Sequence, residues 1–318
     1  MDSARRAVRA DRIGVRPHHS VVGCSPGREP ECGLRGGAQL TFCRRGLATI
    51  LSSARVEAPL KLVRSFALAD GRLVVPLITL GPGLCGGDRC TIDVHVAAGA
   101  RVVVTNTAAT RVLGMADEAQ AIQRVRLTAG PSAHLEYYPG LTIPFPDSAF
   151  VQEIDVSAAP DAHVGILETW ALGRTARGEY LRFRHVRSRT SVRVDGRLIY
   201  ADATRLDPRA AAVAGTGVLD GRRYLVSGFW YGADVAAGDR GQTPDAPLAT
   251  VSSDDWGQTP DGRLHTALVA FGQSGPGQVF LRALGDDGGT LDGVVRDALS
   301  RVADAWKVPP LGLERFRC

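Results

Sequence analysis

Four carboxylates in this 318-residue chain stand where an ionised side chain is costly, and they are the first residues that could do chemistry. Asp88 closes the glycine-rich loop GPGLCGGD, Glu136 lies within LEYY, Glu168 follows GIL, and Asp202 follows LIYA. Three of the four adjoin apolar runs, and an unpaired carboxylate is expensive to remove from water. Two chemistries would relieve that cost. One is ion pairing with the abundant arginines, for which Arg174, Arg177 and Arg205 are candidates. The other is a set of oxygen ligands that a divalent cation can visit. Spacing alone favours ion pairing.

Other motifs fail on context. His95, His134 and His163 recur beside turns, but His95 precedes its turn while His134 and His163 follow theirs. They read as histidines on strand surfaces, not as metal ligands. The cysteines at 24, 32, 43, 85, 90 and 318 form no CxxC pair, and Cys85 with Cys90 would be half a metal site lacking its other half. Reduced thiols in a cytoplasmic protein are the expectation. Gly81, Gly83 and Gly86 match GxGxxG. Phosphate binding there needs a helix N-terminus after the loop, and the strand-like TIDVHV follows instead. The chain has neither a P-loop nor a Gly-x-Ser-x-Gly elbow. No tightly bound cofactor is expected.

Strands must position these residues. TIDVHV-AAGA-RVVVTN (91–106), VRLT-AGPSA-HLEYY (125–138) and IDVS-AAPDA-HVGILE (154–168) share one pattern, and their turn-closing alanines, Ala100, Ala133 and Ala162, lie about 30 residues apart. Period-2 alternation marks half-buried strands, and turns of four or five residues predict antiparallel hairpins. Their recurrence predicts a mainly β fold of stacked antiparallel hairpins in a β-helical, solenoid-like arrangement. Such layers offer broad faces and seldom a deep cleft, which suits a scaffold better than an enzyme. MADEAQAIQ (115–123) predicts a brief helix. LDGVVRDALSRVADAWKV (291–308) predicts a C-terminal α-helix, with Leu291, Val294, Val295, Ala298, Leu299, Val302 and Trp306 at helical spacing.

Composition bounds the partners. Residues 1–48 hold nine arginines against four acids and so carry the whole +5 net charge, while the remainder balances at 29 against 29. The folded part therefore supplies no basic argument for nucleic acid. Residues 1–35 lack periodicity and read as a disordered or non-native extension of a β domain over 36–318. The 233–263 stretch, with GQTPD at 241–245 and again at 257–261, reads as an exposed insertion. No run of 18 apolar residues exists, and MDSARRAVRADRIG lacks the apolar core of a signal peptide. Neither membrane nor export is expected.

GPGLCGGD, TNTAATRV, LEYYPGLTIPF, LGRTARGE and LIYADATRLDP, in that order, resemble the UreD (UreH) family of urease accessory proteins. The similarity extends from AQLTFCRRGLATILSSARVEAPLKLVRSF to VFLRALGDDGGTLDGVVRDALSRVADAW, roughly residues 36–310. Pro82 and Gly140 depart from the family's usual Gly and Gln, and the 233–263 insertion is longer than usual. The resemblance implies a helix-poor β fold and a non-catalytic maturation factor. Such a factor binds apo-urease (UreA, UreB and UreC) and recruits UreF and the GTPase UreG, so that nickel reaches the urease active site. It further implies an internal, water-filled nickel route, whose positions Asp88, Thr110, Glu168 and Asp202 match. Nickel is then cargo in transit, which sparse carboxylate and water ligands suit better than a Cys/His cage. Two other classes remain as alternatives: a β-solenoid carbohydrate-cleaving enzyme using paired carboxylates, and a generic β-rich interaction module.

Overall fold

Alternation gives a strand one apolar face, and the computed structural model, which describes residues 33–116, 118–232, 249–252 and 266–312, packs two sheets together on such faces. The chain begins with β1 (Arg35–Arg45), β2 (Ala48–Val56), β3 (Leu60–Leu62), β4 (Phe66–Ala67), β5 (Leu73–Thr79), β6 (Arg89–Val96) and β7 (Arg101–Asn106). It continues with β8 (Thr110–Val112), β9 (Ala121–Ala129), β10 (His134–Tyr138), β11 (Leu141–Pro144), β12 (Ala149–Ala158) and β13 (His163–Ala171). Then come β14 (His185–Val194), β15 (Arg197–Leu206), β16 (Tyr224–Tyr231), β17 (Ala249–Ser252), β18 (Thr266–Gly275), β19 (Gln278–Gly285) and the helix α1 (Gly288–Ala305). A seven-stranded sheet runs β15-β14-β12-β9-β6-β1-β2, and the larger sheet runs β17-β18-β19-β16-β13-β10-β7-β5-β3.

The stacked, solenoid-like arrangement and the C-terminal helix are as expected, but the antiparallel hairpins are not. Strands flanking each turn do not pair with each other. β6 lies parallel to β1 and β9 in the smaller sheet, while β7 lies parallel to β5 and β10 in the larger one. β9, β12 and β14 continue the first parallel ladder, and β10 and β13 the second. Each turn is thus an arch that carries the chain from one sheet to the other. The physical reason is burial. Val94 and Val96 before the first turn share one core with Val102 and Val104 after it, whereas a hairpin would set all four side by side on one sheet and leave that face uncovered. The corners stack through backbone bonds: the His134 N–H donates to the Ala100 carbonyl at 2.9 Å and the His163 N–H to the Ala133 carbonyl at 2.8 Å.

β10 is buried along its whole length and β13 nearly so, because α1 covers the second face of the larger sheet. Leu291, Val294, Val295, Leu299, Val302 and Trp306 pack there with Val103, Tyr138, Leu167 and Trp230. The helix starts where Asp287 accepts a 3.0 Å hydrogen bond from the Thr290 N–H, which satisfies an amide that lacks an intrahelical partner.

No helix forms among the described residues of 115–123, where one was expected. Ala121, Gln123, Val125 and Leu127 are the inward residues of β9, whose backbone is satisfied by β6 and β12 on either side. A short, marginal helix cannot compete with that. Within the stretch read as an insertion, Ala249–Ser252 forms β17 against β18, while both GQTPD copies lie outside the described residues. Residues 1–32 of the expected extension also lie outside them. Leu34, assigned to that extension, instead joins the fold. Its N–H donates to Asp88 Oδ1 and its carbonyl accepts from the Arg89 N–H, both at 2.8 Å. No helix among the described residues is long and apolar enough to cross a membrane.

Candidate functional site

Parallel stacking in register turns sequence parity into rows. Cys90, Gln123, Gln152 and Ser188 occupy equivalent positions on β6, β9, β12 and β14, and all four are buried on the inner face of the smaller sheet. On the larger sheet, Glu168 of β13 stands in register with Ser227 of β16, and Ser227 with Arg282 of β19. β15 sets Asp202 opposite Thr190 of β14.

The two sheets thereby gather Glu168 and Asp202 into one interior polar cluster. Glu168, 5% exposed, accepts hydrogen bonds from the Gln152 side-chain amide at 2.5 Å and from the Ser188 and Thr190 hydroxyls, each at 2.9 Å. Burial is the largest influence on its proton affinity. Aided by the Asp202 charge, it pushes Glu168 above the usual carboxylate range against the pull of the two hydroxyls and Arg282. Asp202 accepts from the Arg282 guanidinium at 2.7 Å and from the Ser227 hydroxyl at 2.8 Å. Chemically, the cluster is a buried carboxylate held by uncharged donors beside a second carboxylate that has a cation.

Asp88 and Thr110 have other partners. Asp88 closes its own loop, with its two oxygens accepting from the Leu34 N–H at 2.8 Å and the Cys85 N–H at 2.7 Å. Thr110 accepts from the Asn106 amide at 3.3 Å. Among the described residues neither side chain hydrogen-bonds to Glu168 or Asp202. The inward row nevertheless begins two residues after Asp88, at Cys90. Burial pushes the Cys90 thiol up to about 12, opposed by a hydrogen bond with Gln123. Cys43, Cys85 and Cys90 are free thiols.

The expected ion pairs have different partners. Glu136 meets Arg72 at 2.8 Å and His134 Nε2 at 2.6 Å, and Arg72 also meets Asp70 at 2.6 Å. Burial drives the Glu136 proton affinity up, but His134 and Arg72 more than offset it and hold this carboxyl below its ordinary range. Arg174 instead pairs with Glu179. Arg177 and Arg205 contact none of the four acids among the described residues. His134 is not on the surface; it is buried, stacked on His163 at 5.8 Å and edge-on to Trp306 at 4.8 Å. His95 is exposed, as expected. Among the described residues, no three His, Cys, Asp or Glu side chains form a cage that could hold a metal ion.

Sequence reading missed Gln123, Gln152, Ser188, Thr190, Ser227 and Arg72. A usable signal existed for Gln123, which has the parity of Val125 and Leu127, and for Gln152. Gln152 has the parity of Ile154 and Val156, so alternation alone places it inward.

Comparison with known proteins decides the family. The model for the UreD urease accessory protein matches residues 34–315. The chain belongs to the UreD family. Urease accessory protein UreD 1 of Synechococcus sp. (strain JA-3-3Ab) is 44% identical over 193 residues, covering 60% of this chain and 72% of that protein. Urease accessory protein UreD of Deinococcus radiodurans is 34% identical over 281 residues, covering 88% of this chain and 94% of that protein. Urease accessory protein UreD of Herpetosiphon aurantiacus is 32% identical over 196 residues, covering 62% of this chain and 68% of that protein. These UreD relatives carry an accessory name, not a catalytic one.

Proposed function

We propose that this chain is a non-catalytic urease maturation factor that binds apo-urease, recruits UreF and UreG, and passes nickel as cargo along its inward polar row. The observation that carries the reading is Glu168, a buried carboxylate whose hydrogen-bond donors, Gln152, Ser188 and Thr190, are all uncharged. Such donors orient its oxygens without cancelling its charge. A divalent cation gains from entering and, with few ligands, is free to leave. Gln123 and Gln152 extend the line of oxygens toward Cys90 and the Asp88 loop. The free thiols Cys43, Cys85 and Cys90 fit a cytoplasmic protein. A saccharide-cleaving enzyme fits poorly, since a polymer has no access to an acid enclosed between two sheets.

Asp88 is a poor place to test the route. Asn there would set an amide donor against a backbone N–H and disturb the loop itself. The decisive variants are Glu168→Gln alone and Glu168→Gln with Asp202→Asn, co-expressed with the urease structural and accessory genes. The expected result is retention of UreF and UreG in pull-downs, with urease depleted in nickel and activity. Normal nickel per urease would overturn the route. Loss of the complex would return both acids to a structural role.

A further inference from the structure

Register on the outer face of the smaller sheet also sorts charge into rows. In one row, Thr91, Arg124, Glu153, Arg189 and Ala203 follow one another across β6, β9, β12, β14 and β15. In the next stand Asp93, Arg126, Asp155, Ser191 and Ala201. These rows neutralise themselves: Arg124 pairs with Glu153 at 3.0 Å, Arg126 with Asp93 at 3.2 Å, and Arg189 with Asp155 at 3.7 Å.

From Arg89 onward the adjoining row does not. It reads Arg35, Arg89, Ile122, Val151, Arg187 and Arg205 across β1, β6, β9, β12, β14 and β15. It contains no acid. Arg89, Arg187 and Arg205 are exposed and have no carboxylate partner among the described residues, and Arg187 directly opposes Arg205 in the antiparallel ladder. Like charges facing each other across a ladder are unfavourable, so a partner's negative charge placed there relieves an existing repulsion. The centre of the row, Ile122 and Val151, is partly exposed and apolar.

We propose that this row is a docking surface for an acidic amphipathic helix of a partner protein, with carboxylates at both ends and apolar residues between them. Strands in a sheet lie about 4.8 Å apart, so the five strands from Arg89 to Arg205 put those Cα atoms roughly 19 Å apart. An α-helix climbs about 5.4 Å per turn, which allows close to one helical turn per strand over roughly three to four turns. Long arginine side chains absorb the small mismatch. Carboxylates at one end then meet Arg89 and at the other the opposed Arg187 and Arg205, and the middle turns cover Ile122 and Val151. A partner helix fits better than nucleic acid because phosphates would find the apolar centre uncompensated and the neighbouring rows already paired with acids. The inference does not depend on nickel passing through the interior.

The probe is a fluorescent helix-forming peptide of about 18 residues, with glutamates in its end turns and alanine and leucine between. The full chain should bind it, with affinity falling as salt rises. Arg89→Ala with Arg187→Ala and Arg205→Ala should weaken binding at least about tenfold at a thermal midpoint no lower than the parent's. Arg124→Ala, in a row already neutralised, should leave it within about twofold. No binding by the parent chain, equal binding by the triple variant, or an equal loss in Arg124→Ala would overturn the proposal. So would tighter binding of duplex DNA than of the peptide under the same conditions.

Discussion

Glu136 and Glu168 are both buried carboxylates, yet their surroundings move their proton affinities in opposite directions. Glu136 is lowered because His134 and Arg72 outweigh burial. Its stabilising contribution is therefore present above the ordinary glutamate value of about 4.3 and is lost as pH falls through its lower folded value. Glu168 is raised by burial, so folding favours its protonated form. Its ionised form costs stability at neutral pH, and that cost vanishes as pH falls below the ordinary value. Glu168→Gln should accordingly be more stable than the parent at neutral pH, with the two denaturation curves converging in acid. A difference that stays constant with pH would contradict this account. Arg72→Met should behave differently, since it strands Glu136 and Asp70 without their shared guanidinium. Removing one partner from such a buried group costs about 3–5 kcal/mol, measurable by urea denaturation.

The arch, rather than the hairpin, is the unit from which this molecule is built. Its corners demand small residues because the chain bends inward between sheets: Ala100, Ala133 and Ala162 are at most 1% exposed. Each closes its turn through an N–H bond three residues back, to Ala97, Gly130 and Ala159, at 3.1 Å. Ala133→Leu should therefore overpack the middle corner and cost about 1–3 kcal/mol, read as a lower denaturation midpoint. At the other end of the element list, Asp287 caps α1 through both the Thr290 N–H and the Thr290 hydroxyl. Asp287→Ala should cost about 1 kcal/mol.

At the scale of the whole molecule, the described fold begins before Gly36. Gly33 passes so close to Gly87 that a Cβ would stand 2.0 Å from its carbonyl carbon, and Leu34 ties that segment to Asp88 and Arg89. A chain starting at Gly33 keeps the Leu34 bonds to Asp88 and Arg89. One starting at Gly36 leaves an oxygen of the buried Asp88 without its amide donor, a loss of about 1–3 kcal/mol. Equal denaturation midpoints for the two would show that the Leu34 contacts contribute nothing.

Local pattern determined a good deal of this. Period-2 alternation determined which side chains face inward, Gln152 among them, because successive residues of a strand point to opposite faces. Helical spacing determined α1 to within a few residues, and the order of short motifs determined the family. Alternation is silent about which strand lies next door, so hairpin and arch read alike, and only the tertiary structure decided for the arch by burying Val94 and Val96 with Val102 and Val104. Partners were decided the same way. Arg72 and Glu136 are 64 residues apart and Asp202 and Arg282 are 80 apart, distances over which no local spacing carries information. The polar interior around Glu168 and the arginine row outside it both arise because parallel strands stack in register, which aligns residues that the chain itself keeps far apart.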